Sequence, residues 1–227
     1  MTMSDLPQQP LVSIDTVPLV LRDGHWRVIL GVRGFEPYAG QAALPGVLLR
    51  PMERLEEAAL RALSAKVNVS EESVLFLMNT GAFDNPDRDP RGPTLSIAHV
   101  AVIDPEDEPV GAVHHLITGN ADLPFDHSAI ITSAAKAVLD ALWVNEPLTR
   151  ALLGERFSTA DVARLMRELS VAALEGEPDT SNLGRELAKK ESLAKAASPA
   201  APTGKGRPAA AWSWASGWSA PKRRTSF

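Results

Sequence analysis

The apolar pattern changes period near Pro147, and this limits the chain to folds in which a β-rich unit precedes a helical one. Before that point short β-branched runs alternate with turn residues. "TVPLVLRDGHWRVILGV" is two such runs around Asp23-Gly24, a pair that favours the left-handed backbone of a tight hairpin. Further strands are predicted at "VLFLMNTGAF" and "TLSIAHVAVI", on either side of the polar turn "DNPDRDPRGP", and "DHSAIITSAAKAVLDALWVN" predicts a long amphipathic helix. Beyond Pro147, "PLTRALLG", "STADVARLMRELSVAAL" with Ser158 as N-cap, and "DTSNLGRELAKKESLAKAA" capped at Asp179 or Thr180 predict three short helices, the outline of a helix-turn-helix. The tail "GKGRPAAAWSWASGWSA" alternates Trp212 and Trp214 with small residues, which fits an edge strand or a low-complexity end. Residues 1–145 are therefore expected to form an α/β or α+β sandwich, residues 146–218 a helical unit, and residues 219–227 a disordered basic tail.

The 227 residues, 44% apolar and 22% charged, suffice for two modest cores. The absence of cysteine excludes disulfides and thiolate metal sites. No apolar run approaches bilayer length and no signal-peptide pattern opens the chain, so a cytoplasmic protein that is not membrane-inserted is expected. The net charge of −5 is unevenly divided: residues 1–149 hold 10 Lys+Arg against 20 Asp+Glu, and residues 150–227 hold 13 against 8. A basic C-terminal unit suits nucleic acid, because phosphate neutralisation supplies most sequence-independent affinity; a solvated surface is the ordinary alternative. The five histidines, His25, His99, His114, His115 and His127, lack metal-ligand spacing, and His114-His115 is expected in an exposed loop, so no metal site is predicted.

One stretch carries more chemistry. In "LPGVLLRPMERLEEAALRALSAKVNV" a turn at Gly46 feeds a helix over Pro51 to Lys66 that places Leu55, Ala58, Ala59, Ala62 and Leu63 on one face, with Glu56, Glu57 and Arg61 at its border. The pattern E-x7-R, formed by Glu53 and Arg61, resembles the Nudix box, G-x5-E-x7-R-E-U-x-E-E-x-G-U, where U is a bulky aliphatic. Glu53, Arg61, Leu63 and Val69 match it. Val47 stands where its first glycine belongs, Ala62, Ala65 and Lys66 where three glutamates belong, and Asn68 where its last glycine belongs.

"EPYAGQAALPG", "FDNPDRDPRGPTLSIAHVAV" and "PFDHSAII" resemble further segments of ADP-ribose-handling Nudix members, so the likeness spans most of residues 12–143. "RFSTADVARLMREL", "DTSNLGRELAKK" and "GRPAAAWSW" resemble the second helix, recognition helix and wing strand of NrtR, the subgroup of Nudix-related transcriptional regulators of NAD metabolism. The resemblance implies a Nudix-like sandwich followed by a winged helix-turn-helix, and upgrades the tail to a folded wing at least as far as Trp214.

In the Nudix family the glutamates hold Mg²⁺ or Mn²⁺ against a pyrophosphate, and hard cations need several oxygen ligands. Alanine offers none, and the Lys66 charge repels a dication. The expectation is a sensor that is not an enzyme and needs no cofactor, with ADP-ribose or NAD as effector. Arg33, Gly46, Glu53, Arg61, Arg88 and Arg91 are the candidate ligand-binding residues, Arg33, Arg88 and Arg91 partly through the resemblance. Glu53 equally suits a salt bridge to a neighbouring arginine.

For DNA, Thr180, Ser181, Asn182 and Arg185 are expected at the start of the recognition helix, with Lys189 and Lys190 one turn on and Lys205 and Arg207 on the wing. A local cap at Asn182 and a surface ion pair at Arg185 are the bland alternatives. The family implies a homodimeric repressor on a double-stranded operator. Two other functions stay open: an ADP-ribose pyrophosphatase using Glu53, Glu56 and Glu57, and a ligand-binding module with no DNA role.

Overall fold

The computed structural model describes residues 9–107, 109, 113–117, 122–196 and 210–215. The chain divides into two compact units, Met1–Ala134 and Ala135–Phe227.

The first unit is built on a mixed seven-stranded sheet. Strands β1 (Leu11–Arg22) and β2 (His25–Val32) form the expected hairpin, with Arg22 opposite His25. Asp23 and Gly24 both take positive φ, 51° and 76°, as a two-residue turn matched to strand twist requires. β3 (Ala42–Ala43) extends β2, and β4 (Gly46–Leu48) pairs with the start of β1. Strands β5 (Val74–Phe83) and β6 (Thr94–Ile103) follow, β6 lying parallel to β1 from Leu11↔Thr94 to Leu19↔Val102. Both central strands read as near-continuous apolar runs because sheet covers their edges and packing covers their faces. Asp15 interrupts that run.

Helix α1 (Leu55–Val67) packs Leu63 and Val67 into a core with Val20, Ile29, Ala101 and Ile103. Each large aliphatic chain buried there stabilises the unit by about 1.5–3 kcal/mol. Ala58, Ala59 and Ala62 are fully buried, as predicted for their face, but Leu55 is 38% exposed because it opens the helix instead of lying within it. The helix stops at Asn68, whose φ of 57° is the left-handed cap that the corresponding family glycine would supply.

One expectation is overturned. His114 and His115 lie in β7 (Val113–Leu116), half-buried and paired with Ile29 and Val28 of β2. The unpaired edge of β2 draws this polar segment into the sheet, since backbone hydrogen bonding outweighs its loop-like composition. Helix α2 (His127–Ala141) forms as predicted and contains the division between the units.

The second unit comprises α3 (Glu146–Leu153), β8 (Arg156–Ser158), α4 (Thr159–Ala172), α5 (Leu183–Ala188), β9 (Leu193–Lys195) and β10 (Ala211–Trp214). Ser158 caps α4 as predicted: its Oγ accepts from the Asp161 N–H at 3.1 Å and its own N–H donates to Asp161 at 2.8 Å. The tryptophan segment is neither an edge strand nor a low-complexity end. β10 is the central strand of a β8-β10-β9 sheet. Trp212 and Trp214 are 2% and 8% exposed, beside Phe157, Val162, Leu183 and Leu187. Each indole N–H has an acceptor, Thr159 Oγ1 at 2.9 Å and the Gly154 carbonyl at 2.8 Å. Three helices with a three-stranded sheet, β8 between α3 and α4 and β9 and β10 after α5, are the predicted winged helix-turn-helix.

Candidate functional site

A cavity of about 600 Å³ opens in the first unit, lined by residues of β1, β2, β4, α1 and the loops before β6 and α2. Its floor is a buried ionic network. Asp15 stands where β1 is flanked by Gly46 on one side and Ala98 on the other. A Cβ at Gly46 would come 2.1 Å from Asp15 Oδ1, so glycine here is what lets the carboxylate fit. Asp15 Oδ2 accepts from Ser96 Oγ at 2.5 Å and from Ser13 Oγ at 3.1 Å. The Arg88 guanidinium, 3% exposed, donates to both oxygens of Asp126 at 2.8 and 2.7 Å, to Asp15 at 3.4 Å and to Ser13 at 3.3 Å. His127 Nδ1 accepts from the Leu44 N–H at 3.0 Å, which leaves the ring proton on Nε2, 3.9 Å from Asp15 Oδ1. Burial pushes the His127 pKa down more than Asp15 raises it, so the ring is neutral.

Above this floor the rim is cationic and aromatic. Arg33 lies 5.2 Å from the Phe35 ring centre and 4.8 Å from that of Phe125, and Lys66 Nζ lies 5.3 Å from Phe35. Arg33 Nε is anchored on the Pro37 carbonyl at 2.7 Å, while its Nη2 is buried with no hydrogen-bond partner among the described residues. Desolvation first, and then the nearby Arg91 charge, lower the Arg33 pKa. Arg91 is held by Asp89 through two bonds of 2.9 and 2.7 Å. Gly31 brings these groups together: a Cβ there would meet the Lys66 carbonyl at 2.9 Å, so β2 and the end of α1 approach as only glycine allows.

Of the six candidate ligand residues, Arg33, Gly46, Arg61, Arg88 and Arg91 line this cavity. Glu53 lies before α1 and chelates Arg61, Nε to Oε1 at 2.6 Å and Nη2 to Oε2 at 2.8 Å, and also accepts from the Arg50 N–H at 2.9 Å. The Arg61 hydrogen bonds hold its pKa well down, at about 2. Arg88 keeps its donors on Asp126, Asp15 and Ser13, so it braces the floor and is not a free cation.

Ser13, Asp15, Asp126, His127, Phe35, Phe125 and the lining role of Lys66 are contributions that sequence reasoning missed. Two signals were available, an acid amid the apolar residues of β1 and the segment "PFDHSAII", which carries Phe125, Asp126 and His127. The Arg88–Asp126 pair spans 38 positions in sequence and leaves no local trace.

In the second unit the recognition segment departs from expectation. Helix α5 starts only at Leu183 and is six residues long. Thr180 and Ser181 precede it in a turn in which Asp179 accepts from the Ser181 N–H at 2.9 Å, so neither Asp179 nor Thr180 is the N-cap. That local bond competes with helix geometry and delays the start. Asn182 occupies the cap position without a side-chain cap bond and instead accepts from Arg185 at 3.3 Å. Lys189 and Lys190 lie past the helix, Lys189 bonded to Glu186 at 2.7 Å and Lys190 placed 4.9 Å from the Trp143 ring centre. Lys205, Arg207 and the basic end at 219–227 lie outside the described residues.

No family model matches the chain. An ADP-ribose pyrophosphatase of Methanocaldococcus jannaschii is 31% identical over 127 residues, which are 54% of this chain and 71% of that relative. The Nudix domain of Shewanella oneidensis NrtR, solved with ADP ribose, superposes with a TM-score of 0.50 at 22% identity, covering 60% of this chain and 98% of that one. The chain belongs to the Nudix family. The intact Shewanella oneidensis NrtR, solved with a 27mer DNA, shares the fold over 90% of this chain and 93% of its own, with a TM-score of 0.65 at 20% identity. The Nudix fold and an appended C-terminal unit are thus common to both chains.

Proposed function

We propose that this Nudix protein is a DNA-binding transcriptional regulator, a homodimeric cytoplasmic repressor of NAD-biosynthesis genes, whose first unit senses ADP-ribose or NAD without cleaving it. The observation that carries this reading is the likeness over 90% of the chain to NrtR, which has been solved on DNA, with a cavity in the Nudix unit rimmed by cations. In the winged unit Arg185 and Asn182 sit at the first turn of α5, where base edges are usually met, and their mutual bond pre-orients both side chains. Dimerisation would place two such helices on half-sites one DNA turn apart, roughly 34–36 Å. Regulation requires the effector to bind DNA-competent and incompetent forms with different affinity.

The test is a gel shift on upstream DNA of NAD-biosynthesis genes, repeated with ADP-ribose and with NAD. A specific shift altered by either nucleotide supports the reading. No shift at low salt removes the DNA role, and a shift indifferent to both removes the sensor. The hydrolase reading draws on the 31% identity to an ADP-ribose pyrophosphatase. Turnover of ADP-ribose with Mg²⁺ at an ordinary enzyme rate, on the order of 10 per second, would establish it instead.

A further inference from the structure

Nudix membership implies a divalent cation, and the residues present do not fit one. Two of the three glutamate positions of the box hold Ala62, which is fully buried, and Ala65. Both oxygens of Glu53 are engaged by Arg61, and one also by the Arg50 N–H. Glu57 accepts from the Arg54 N–H at the start of α1, and neither Glu56 nor Glu57 lines the cavity. The third glutamate position holds Lys66.

The cationic balance of the cavity has a definite pattern. Arg61 is matched by Glu53, Arg91 by Asp89 and Arg88 by Asp126. Arg33, Lys66 and the exposed Arg50 form no ion pair among the described residues, and of these Arg33 and Lys66 share the Phe35 ring. Two unmatched cations side by side, one with a buried N–H left unsatisfied, are what a bridging diphosphate with one negative charge per phosphoryl group would neutralise. Phe35, 54% exposed, lies within cation–π range of both, and all three residues line the cavity.

We propose that Lys66, beside Arg33, replaces the metal ion of this fold as the counter-charge to a nucleotide diphosphate, so that the cavity binds its ligand without a divalent cation. The proposal rests on the sensing role above and adds how that site holds its ligand. A fixed ammonium also has a chemical consequence. It neutralises a bound diphosphate but neither orients nor activates a water as a metal does, so recognition is retained without hydrolysis.

Calorimetric titration of the full chain with ADP-ribose, in EDTA and again in Mg²⁺, tests this on the native protein, Lys66→Met and Lys66→Glu. Lys66 is exposed at a helix end, so both variants are expected to fold, and circular dichroism together with the gel shift confirms it. The expected result is a native Kd that agrees within about twofold in the two buffers, about tenfold weakening in Lys66→Met, equivalent to about 1.4 kcal/mol, and still greater loss in EDTA for Lys66→Glu. Native binding that requires Mg²⁺, or an unchanged Kd in Lys66→Met, overturns the counter-charge role while leaving the sensor intact. Absence of binding in both buffers overturns the sensing role itself, and the proposal with it.

Discussion

Replacing Asp126 by alanine should be among the most damaging single changes to the first unit. Arg88 is 3% exposed and its main partner is the Asp126 carboxylate, through bonds of 2.8 and 2.7 Å. Truncating one member of a buried pair leaves an uncompensated charge and costs about 3–5 kcal/mol. Asp15, at 3.4 Å, still faces the guanidinium and offsets part of this, which places the expected loss near the lower bound, about 3 kcal/mol. For a unit of this size that lowers the melting temperature by roughly 10 °C. Calorimetry and urea unfolding of Asp126→Ala measure it. The double variant Arg88→Met/Asp126→Leu removes the stranded guanidinium and leaves the buried Asp15 carboxylate to the Ser13 and Ser96 hydroxyls that already donate to it, so it should be no more destabilised than Asp126→Ala. A loss under about 1 kcal/mol for Asp126→Ala, or a double variant worse than the single, would refute the view that this pair holds the cavity floor through paired burial.

Gly46→Ala should destabilise the first unit by about 2 kcal/mol and abolish nucleotide binding, since its methyl group displaces the Asp15 carboxylate at 2.1 Å; a variant of native stability in thermal melts contradicts the close fit. Glu53 is depressed to about 2 from an ordinary 4.5, so its contribution is complete above pH 4.5 and is lost as pH falls toward 2. Glu53→Gln should accordingly flatten the acid limb of the stability curve in that window, and an unchanged limb counts against the Arg61 pair. Arg185→Ala should weaken specific DNA binding by about 1–3 kcal/mol while leaving ADP-ribose affinity unchanged. Equal affinity for the operator would remove α5 from base reading.

The division of labour between local and distant information follows from range. The Asp23-Gly24 hairpin, the span of β6, the apolar face of α1 and the Ser158 cap depend on residues within a few positions of each other, where backbone preference and periodicity act directly, and all were legible in the sequence. The missing glutamates at Ala62, Ala65 and Lys66 were equally plain, because a helix fixes their spacing. Assignments failed where a distant partner decided or where a local side-chain bond overrode the helical period. β2 drew His114 and His115 into the sheet, and the Asp179 turn shortened the recognition helix. Only the folded chain brings Asp15, Arg88 and Asp126 into one network and sets Lys66 beside Arg33 across Phe35. Charge pairing depends on distance in space, so beyond local pairs such as Glu53–Arg61 and Asp89–Arg91 only the tertiary structure decided that Arg88 is neutralised and that Arg33 and Lys66 stand together unpaired.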